Sequence, residues 1–282
     1  MSPCPVCETS ARPTGLAVET IQHYEVMRCP HCGLAFTTPR PTPQELVDFY
    51  GDAYFNRVDE SSRFGYEDYD GESWAAVNAA RTWDLIGRWA AEATRSPGRL
   101  LDVGGATGDF GARAAADGWD VVVCEVGDTA RAKATAKGLA TVATLAEVEG
   151  PFDLISMFHV LEHLIDPLAD LRHLRGLVAT EGYLVIEVPQ WRSAGRIVRR
   201  SKWAQLKPPE HINFFTRRSL RFILERSGWR LDRATTPYPE ARRLAMDALR
   251  RRDARDFAKQ SVQQAAGTAG LGGYMRAVAR PA

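Results

Sequence analysis

Arg99-Leu-Leu-Asp-Val-Gly-Gly-Ala-Thr-Gly-Asp-Phe-Gly111, then a helical stretch, then Asp120-Val-Val-Val-Cys-Glu125, is the run that decides the fold of this chain. A short apolar strand enters a glycine-rich turn, followed by a helix, a second apolar strand and an acidic residue at its end. That order builds half of a nucleotide-binding α/β sheet. Gly104, Gly105 and Gly108 let the backbone turn tightly and approach a ligand. Glu125 follows at about the distance of 20 residues where a carboxylate can accept both ribose hydroxyls. The plainer alternative is a βαβ unit with an ordinary glycine turn.

The loop excludes some ligands. Gly104, Ala106 and Asp109 fill the positions of a dinucleotide G-x-G-x-x-G, and no Gly-Lys-Ser/Thr ending follows. Asp109 at the start of the next helix would face a pyrophosphate with a carboxylate. Asp102, just before the loop, suits a cationic or amine-bearing ligand, and S-adenosylmethionine carries a ribose, an ammonium and a sulfonium but no phosphate. At these residues the chain resembles the class I S-adenosylmethionine-dependent methyltransferases, whose first motif is Asp/Glu-x-Gly-x-Gly-x-Gly. Asp102, Gly104 and Gly108 match it, and Ala106 stands at the middle glycine. The resemblance implies a cofactor site formed by Asp102, Gly104, Gly105, Ala106, Gly108, Glu125 and Val126. Leu145 would cover the adenine, and Phe158 and His159 would lie beside the methionine part.

Alternation continues outward from this half. The patterning predicts strands at 100–103, 121–124, 140–142, 152–158 and 183–188, with helices at 110–117, 129–137 and 167–177 between them. Strand and helix in alternation imply a parallel sheet covered on both faces. After Pro189 the expectation is an irregular basic stretch to Pro209, a helix at 217–227, a strand at 231–236, a helix at 239–264 and a last strand at 274–279. Two closing strands without a crossover match the antiparallel end of a Rossmann-like class I methyltransferase sheet. Phe158-His-Val-Leu-Glu-His163, Pro209-Glu-His-Ile-Asn-Phe-Phe-Thr216 and Ser227-Gly-Trp229 resemble bacterial methyltransferases that carry an N-terminal zinc ribbon. The sugar C-methyltransferases among these have a further C-terminal domain for which this chain is too short, which argues against nucleotide-sugar C-methylation.

Cys4-Pro-Val-Cys7 and Cys29-Pro-His-Cys32-Gly33 are two C-x-x-C knuckles. Their spacing is that of a tetrahedral Cys4 zinc site, with disulfides as the alternative. With all four positions filled by protein, the metal would be structural. Residues 16–27 between the knuckles alternate as a β-hairpin, and His31 reads as an exposed knuckle residue. The chain thus divides into a ribbon at 1–40, a linker at 41–96 and a cofactor domain at 97–282. Within the linker, Tyr54, Phe55, Phe64, Tyr66 and Tyr69 suggest either a lid or simple packing. A short helix near 44–50 and a longer one at 73–94 flank them.

At the carboxyl ends of the strands, His159, His211 and His163 are the candidate proton acceptors for methyl transfer, in that order. His163 could instead cap a helix, and His211 could only bond its loop. On one helical turn His159, Glu162 and His163 would share a face, which makes them a candidate second metal site for an ion softer than magnesium. His173 reads as a surface residue and Cys124 as a small buried one.

Net charge is +1, yet residues 1–188 hold 15 Lys/Arg against 28 Asp/Glu, and residues 189–282 hold 21 against 7. A solvated helix face or an anionic, carrier-linked substrate would each explain the basic third. Six arginines between Arg242 and Arg255 concentrate it on the 239–264 helix, a candidate cleft cover or dimer contact. Few basic residues lie in the knuckles and few aromatics among those arginines, which disfavours nucleic acid. With 45% hydrophobic and 25% charged residues, no bilayer-length apolar run and no secretory signal pattern, a cytoplasmic protein is expected. The leading function is methyl transfer to an O, N or C atom of a small molecule, in secondary metabolism or sugar modification. An RNA or protein methyltransferase docking through ribbon and basic helix, and a non-catalytic cofactor binder, are the alternatives.

Overall fold

The computed structural model describes residues 2–19, 23–49, 74–94, 97–236 and 254–282. The aromatic segment at 51–70 and the arginines between 242 and 252 lie outside the described residues.

The glycine-loop half stands as its residues require. β4 (Arg99–Val103) leads through the loop into α3 (Asp109–Ala116) and β5 (Asp120–Cys124). The units α4 (Asp128–Ala136), β6 (Ala140–Val142), β7 (Phe152–Phe158), α5 (Pro167–Leu177) and β8 (Val178–Pro189) follow. Then come α6 (Ala194–Arg199), β9 (Asn213–Phe214), α7 (Arg217–Arg226), β10 (Trp229–Thr235), α8 (Ala254–Thr268) and β11 (Tyr274–Pro281). Seven strands form one sheet in the order β10-β11-β8-β7-β4-β5-β6. β5, β4, β7 and β8 pair in parallel, while β11 is antiparallel to both neighbours. This is the Rossmann-like class I methyltransferase sheet with its antiparallel end. The central strands are buried on both faces, with Leu100, Leu101, Leu154, Ile155, Leu184 and Val185 fully enclosed.

Helix starts follow their caps. Asp166 accepts from the Ala169 N–H ahead of Pro167, and Thr216 and Ser219 form a reciprocal box at α7. α2 (Trp74–Thr94) docks on α3 through Trp83, whose indole meets Phe110 and Trp119 edge-on and donates to Asp117 at 2.6 Å. No described helix is long and apolar enough to cross a membrane.

At the N-terminus β1 (Arg12–Glu19), β2 (His23–Arg28) and β3 (Ala35–Thr38) form an antiparallel sheet, followed by α1 (Pro43–Phe49). A fourth strand completes this sheet, and it is β9, contributed from far along the chain. Two expectations need correction. The basic stretch after Pro189 is not wholly irregular, because Ser193 accepts from the Arg196 N–H and starts α6. Residues 159–163 are not helical either: His159 has φ 58°, which ends β7 in a bend, and a turn follows.

Gly108 illustrates how tightly the loop is built. At φ 77° its absent Cβ would sit 2.7 Å from Leu139 Cδ1 and 2.9 Å from the Ala134 Cβ. Gly138, at φ 83°, has open space around it. Gly108→Ala should therefore cost roughly 2–4 kcal/mol, adding overpacking to left-handed strain, whereas Gly138→Ala should cost only about 1–2 kcal/mol. Urea unfolding midpoints of the two variants check the difference.

Candidate active site

The carboxyl ends of β4, β5, β7 and β8 open into one cavity of about 740 Å³. Asp102, Gly104, Gly105, Ala106, Glu125, Val126, Leu145, Phe158, His159, His163 and His211 all line it. Gly108 lies behind the loop, where it caps α3.

One half of the cavity rests on carboxyl groups beneath and beside the glycine loop. Asp102 is buried, and its Oδ1 accepts from Ser156 Oγ at 2.7 Å while Oδ2 has no partner. Burial pushes its pKa up to about 7, against the Ser156 hydrogen bond. A Cβ on Gly105 would approach Asp102 Oδ2 to 2.6 Å, so the loop can lie on this carboxyl only as glycine. Glu125 Oε2 accepts from the Ala106 N–H at 3.0 Å and Oε1 from the Gly127 N–H at 2.8 Å. Each oxygen keeps a second lone pair for a hydroxyl. Burial raises the Glu125 pKa, and the two N–H groups oppose that shift. Ala106 itself adopts φ 47°, a conformation glycine would take at lower cost. Val126 is 53% exposed at the mouth. Leu145 is half-buried opposite, in a short turn closed by Thr144 and Glu147, and its carbonyl meets His173 Nε2 at 3.0 Å.

Histidines shape the other half. His159 Nδ1 lies 3.3 Å from Glu162 Oε1, and Nε2 lies 3.4 Å from Glu187 Oε1. Arg276 Nη2 holds the other Glu187 oxygen at 2.7 Å. Burial opposes a charge on His159, yet Glu162 and Glu187 outweigh it and push its pKa up to about 10. His159 and Arg276 in turn hold Glu187 down to about 2 despite its own burial. An imidazolium between two carboxylates is a poor proton acceptor, so the first place given to His159 does not suit its surroundings.

His163 and His211 are arranged differently. His163 Nδ1 lies 2.6 Å from the Glu210 carbonyl oxygen, and His211 Nδ1 lies 2.9 Å from that of Gln205. Carbonyl oxygens only accept, so each Nδ1 carries the hydrogen and each Nε2 the lone pair. The rings meet edge-on at 4.8 Å. Burial, with His163 and Lys207 adding to it, holds the His211 pKa well below the usual imidazole value. Neither ring caps a helix.

Glu187, Lys207, Glu210 and Tyr274 also line the cavity and were not singled out from the sequence. Glu210 sits inside the Pro-Glu-His motif, and Glu187 is an acid in an otherwise apolar strand end, so both left a signal. Tyr274 left none.

The four ribbon cysteines are free thiols. Cys4 and Cys32 Sγ lie 3.6 Å apart, Cys7 and Cys29 Sγ 3.5 Å, and all four sulfurs fall within 4.8 Å of one another. Sulfurs around a tetrahedral zinc at ~2.3 Å lie ~3.8 Å apart, so the cluster fits that ion.

Residues 75–234 match the model of the methyltransferase domain family, more than half of the chain, and the chain belongs to that family. A comparison with curated protein sequences finds no match. Among solved structures, magnesium protoporphyrin IX methyltransferase from Synechocystis PCC 6803 with bound SAH is 17% identical with a TM-score of 0.52, over 76% of this chain and 90% of that one. The plantazolicin methyltransferase in complex with a triazolic desmethylPZN analog and SAH is 13% identical with a TM-score of 0.52, over 73% and 85%. A Mesorhizobium loti S-adenosylmethionine-dependent methyltransferase is 17% identical with a TM-score of 0.50, over 69% and 97%. At these identities the likeness is one of fold.

The raised pKa of His159 has a sign that can be checked. Its stabilising effect is complete below pH 6.5 and is lost as pH rises towards about 10. The stability advantage of wild type over His159→Gln, read from urea midpoints, should therefore shrink across that window.

Proposed function

We propose that this protein transfers the methyl group of S-adenosylmethionine to an oxygen, nitrogen or carbon atom of a small molecule. One observation carries the reading: a single cavity joins a loop-and-carboxylate half to a half lined by lone-pair-bearing imidazoles. The glycine loop and Glu125 would hold the ribose, Leu145 and Val126 would flank the adenine, and Phe158 and His159 would border the sulfonium end. The partnerless oxygen of buried Asp102 lies beneath the loop, where it suits an ammonium or N–H donor.

The cofactor, when bound, supplies an activated methyl group for in-line displacement. The chain's own residues then have two tasks, alignment and proton removal. His211 and His163, each with Nδ1–H on a main-chain carbonyl, line the acceptor half, and burial holds the His211 pKa well below the usual imidazole value. His159 is kept charged and orients Glu162 and Glu187 rather than accepting a proton. Lys207 on the same wall is matched by Glu210 at 2.5 Å, so an anionic or carrier-linked acceptor is supported only by the basic C-terminal third of the sequence.

Residues 1–40 would form a ribbon around a structural zinc ion, 41–96 a linker and 97–282 the cofactor domain. The ribbon's sulfur spacing supports the metal, and four protein ligands that leave no open position support a structural role. Elemental analysis of chelator-dialysed protein should find one zinc per chain, lost in a Cys4→Ser, Cys32→Ser variant.

Calorimetric titration with S-adenosylhomocysteine tests the central reading. Wild type should bind, and Glu125→Gln, which keeps one acceptor oxygen, should bind roughly ten- to hundredfold more weakly, as expected for losing a charge-assisted hydrogen bond. A folded wild type that does not bind would overturn it.

A further inference from the structure

We infer that Glu162, His163 and His211 hold a divalent transition-metal ion at the acceptor end of the cleft. One ligand atom from each lies within 4.8 Å of the others. Two imidazoles and one carboxylate make a three-ligand set, and since His163 and His211 line the cavity, it leaves coordination positions for an incoming oxygen donor. The sequence pattern pointed instead to His159 as the first ligand. The bend at φ 58° turns His159 towards Glu187, and His211 arrives from a distant loop to take that place.

Two further observations support the site. Glu162 has a side chain 1% exposed, and its Oε2 is buried with no hydrogen-bond partner. Leaving such an oxygen unmatched is costly, and a cation beside it removes the cost. Both histidines also direct Nδ1–H at a main-chain carbonyl, Glu210 for His163 and Gln205 for His211. That outer contact fixes the tautomer with Nε2 as the donor atom, the arrangement found behind metal-binding imidazoles.

The three side chains are also held in place before any ion arrives. The Glu162 carbonyl accepts both the Ile212 and Asn213 N–H groups at 3.0 Å, which pins the 159–163 turn to the loop carrying His211. The nearest cations are already matched: Lys207 by Glu210 Oε1, and His159 by Glu162 Oε1 and Glu187. Imidazole-rich ligation suits zinc, cobalt or iron(II) better than magnesium. Bound there, the ion would take an acceptor hydroxyl or enol oxygen and lower its pKa. That catalytic use rests on the methyl-transfer reading; occupancy of the site does not.

The test uses the full chain with its ribbon zinc retained and Co²⁺ as the added ion, with S-adenosylhomocysteine calorimetry on the same samples. Wild type should take up one further equivalent, with visible absorption, and the Co²⁺ should shift the ring resonances of His163 and His211. Glu162→Gln and His211→Gln should weaken that equivalent by at least about tenfold while S-adenosylhomocysteine still binds. No further equivalent in wild type, or one that leaves both ring resonances unmoved, would overturn the site, as would an equivalent kept in both folded variants. Should a variant misfold, the wild-type resonances decide alone. Cobalt uptake at the two histidines without S-adenosylhomocysteine binding would leave the metal site standing and remove the methyl-transfer reading.

Discussion

One guanidinium ties the ribbon both to the central turn and to the segment that follows His211. Arg40, just past the third ribbon strand, donates to the Leu164 and Ile165 carbonyls at 3.1 and 2.8 Å and to Asn213 Oδ1 at 3.1 Å. Asn213 Nδ2 in turn donates to the Leu164 carbonyl at 2.7 Å. Burial costs the charge enough to pull the Arg40 pKa down to about 10. Several charge-assisted hydrogen bonds offset that cost, and only a planar fork reaches acceptors on two segments at once. Arg40 reinforces the bonds of the Glu162 carbonyl to the Ile212 and Asn213 N–H groups, which register the turn bearing Glu162 and His163 against His211.

The cleft is also organised by opposed electrostatics. Beneath the loop, burial raises the pKa of Asp102 to about 7, and at Glu125 the same upward push is opposed by the Gly127 and Ala106 N–H groups. In the other half two histidines of the same intrinsic basicity are driven apart, His159 upward by carboxylates and His211 downward by burial. Groups separated in this way can hold a charge and accept a proton within one pocket at one pH.

The sheet was legible in the sequence because parallel strands buried on both faces are continuous apolar runs, and two of its helices carry a start signal, at Asp166-Pro167 and at Thr216. Glu125 and the glycines were legible because their spacing is local. The histidine cluster was read only in part. His159-x-x-Glu-His163 has a helical spacing, but a left-handed residue at 159 breaks the period, and nothing in one-dimensional spacing shows a φ angle. Contacts that close over long separations, such as Arg276 with Glu187 or His211 with His163, left no periodic trace. β9 escaped for a different reason: two residues cannot display alternation, and they are a strand only because β3 is there to pair with them.

That last pairing bears on how such a chain can be rearranged. Asn213 and Phe214 are the fourth rung of a sheet whose other three strands lie near the N-terminus, so a cut at residue 40 severs a hydrogen-bonded ladder as well as a linker. The ribbon cannot be exchanged as a bead on a string. A hybrid carrying a foreign ribbon would inherit an unpaired edge beside the loop that carries His211, and recombination among relatives should favour crossovers that move both segments together.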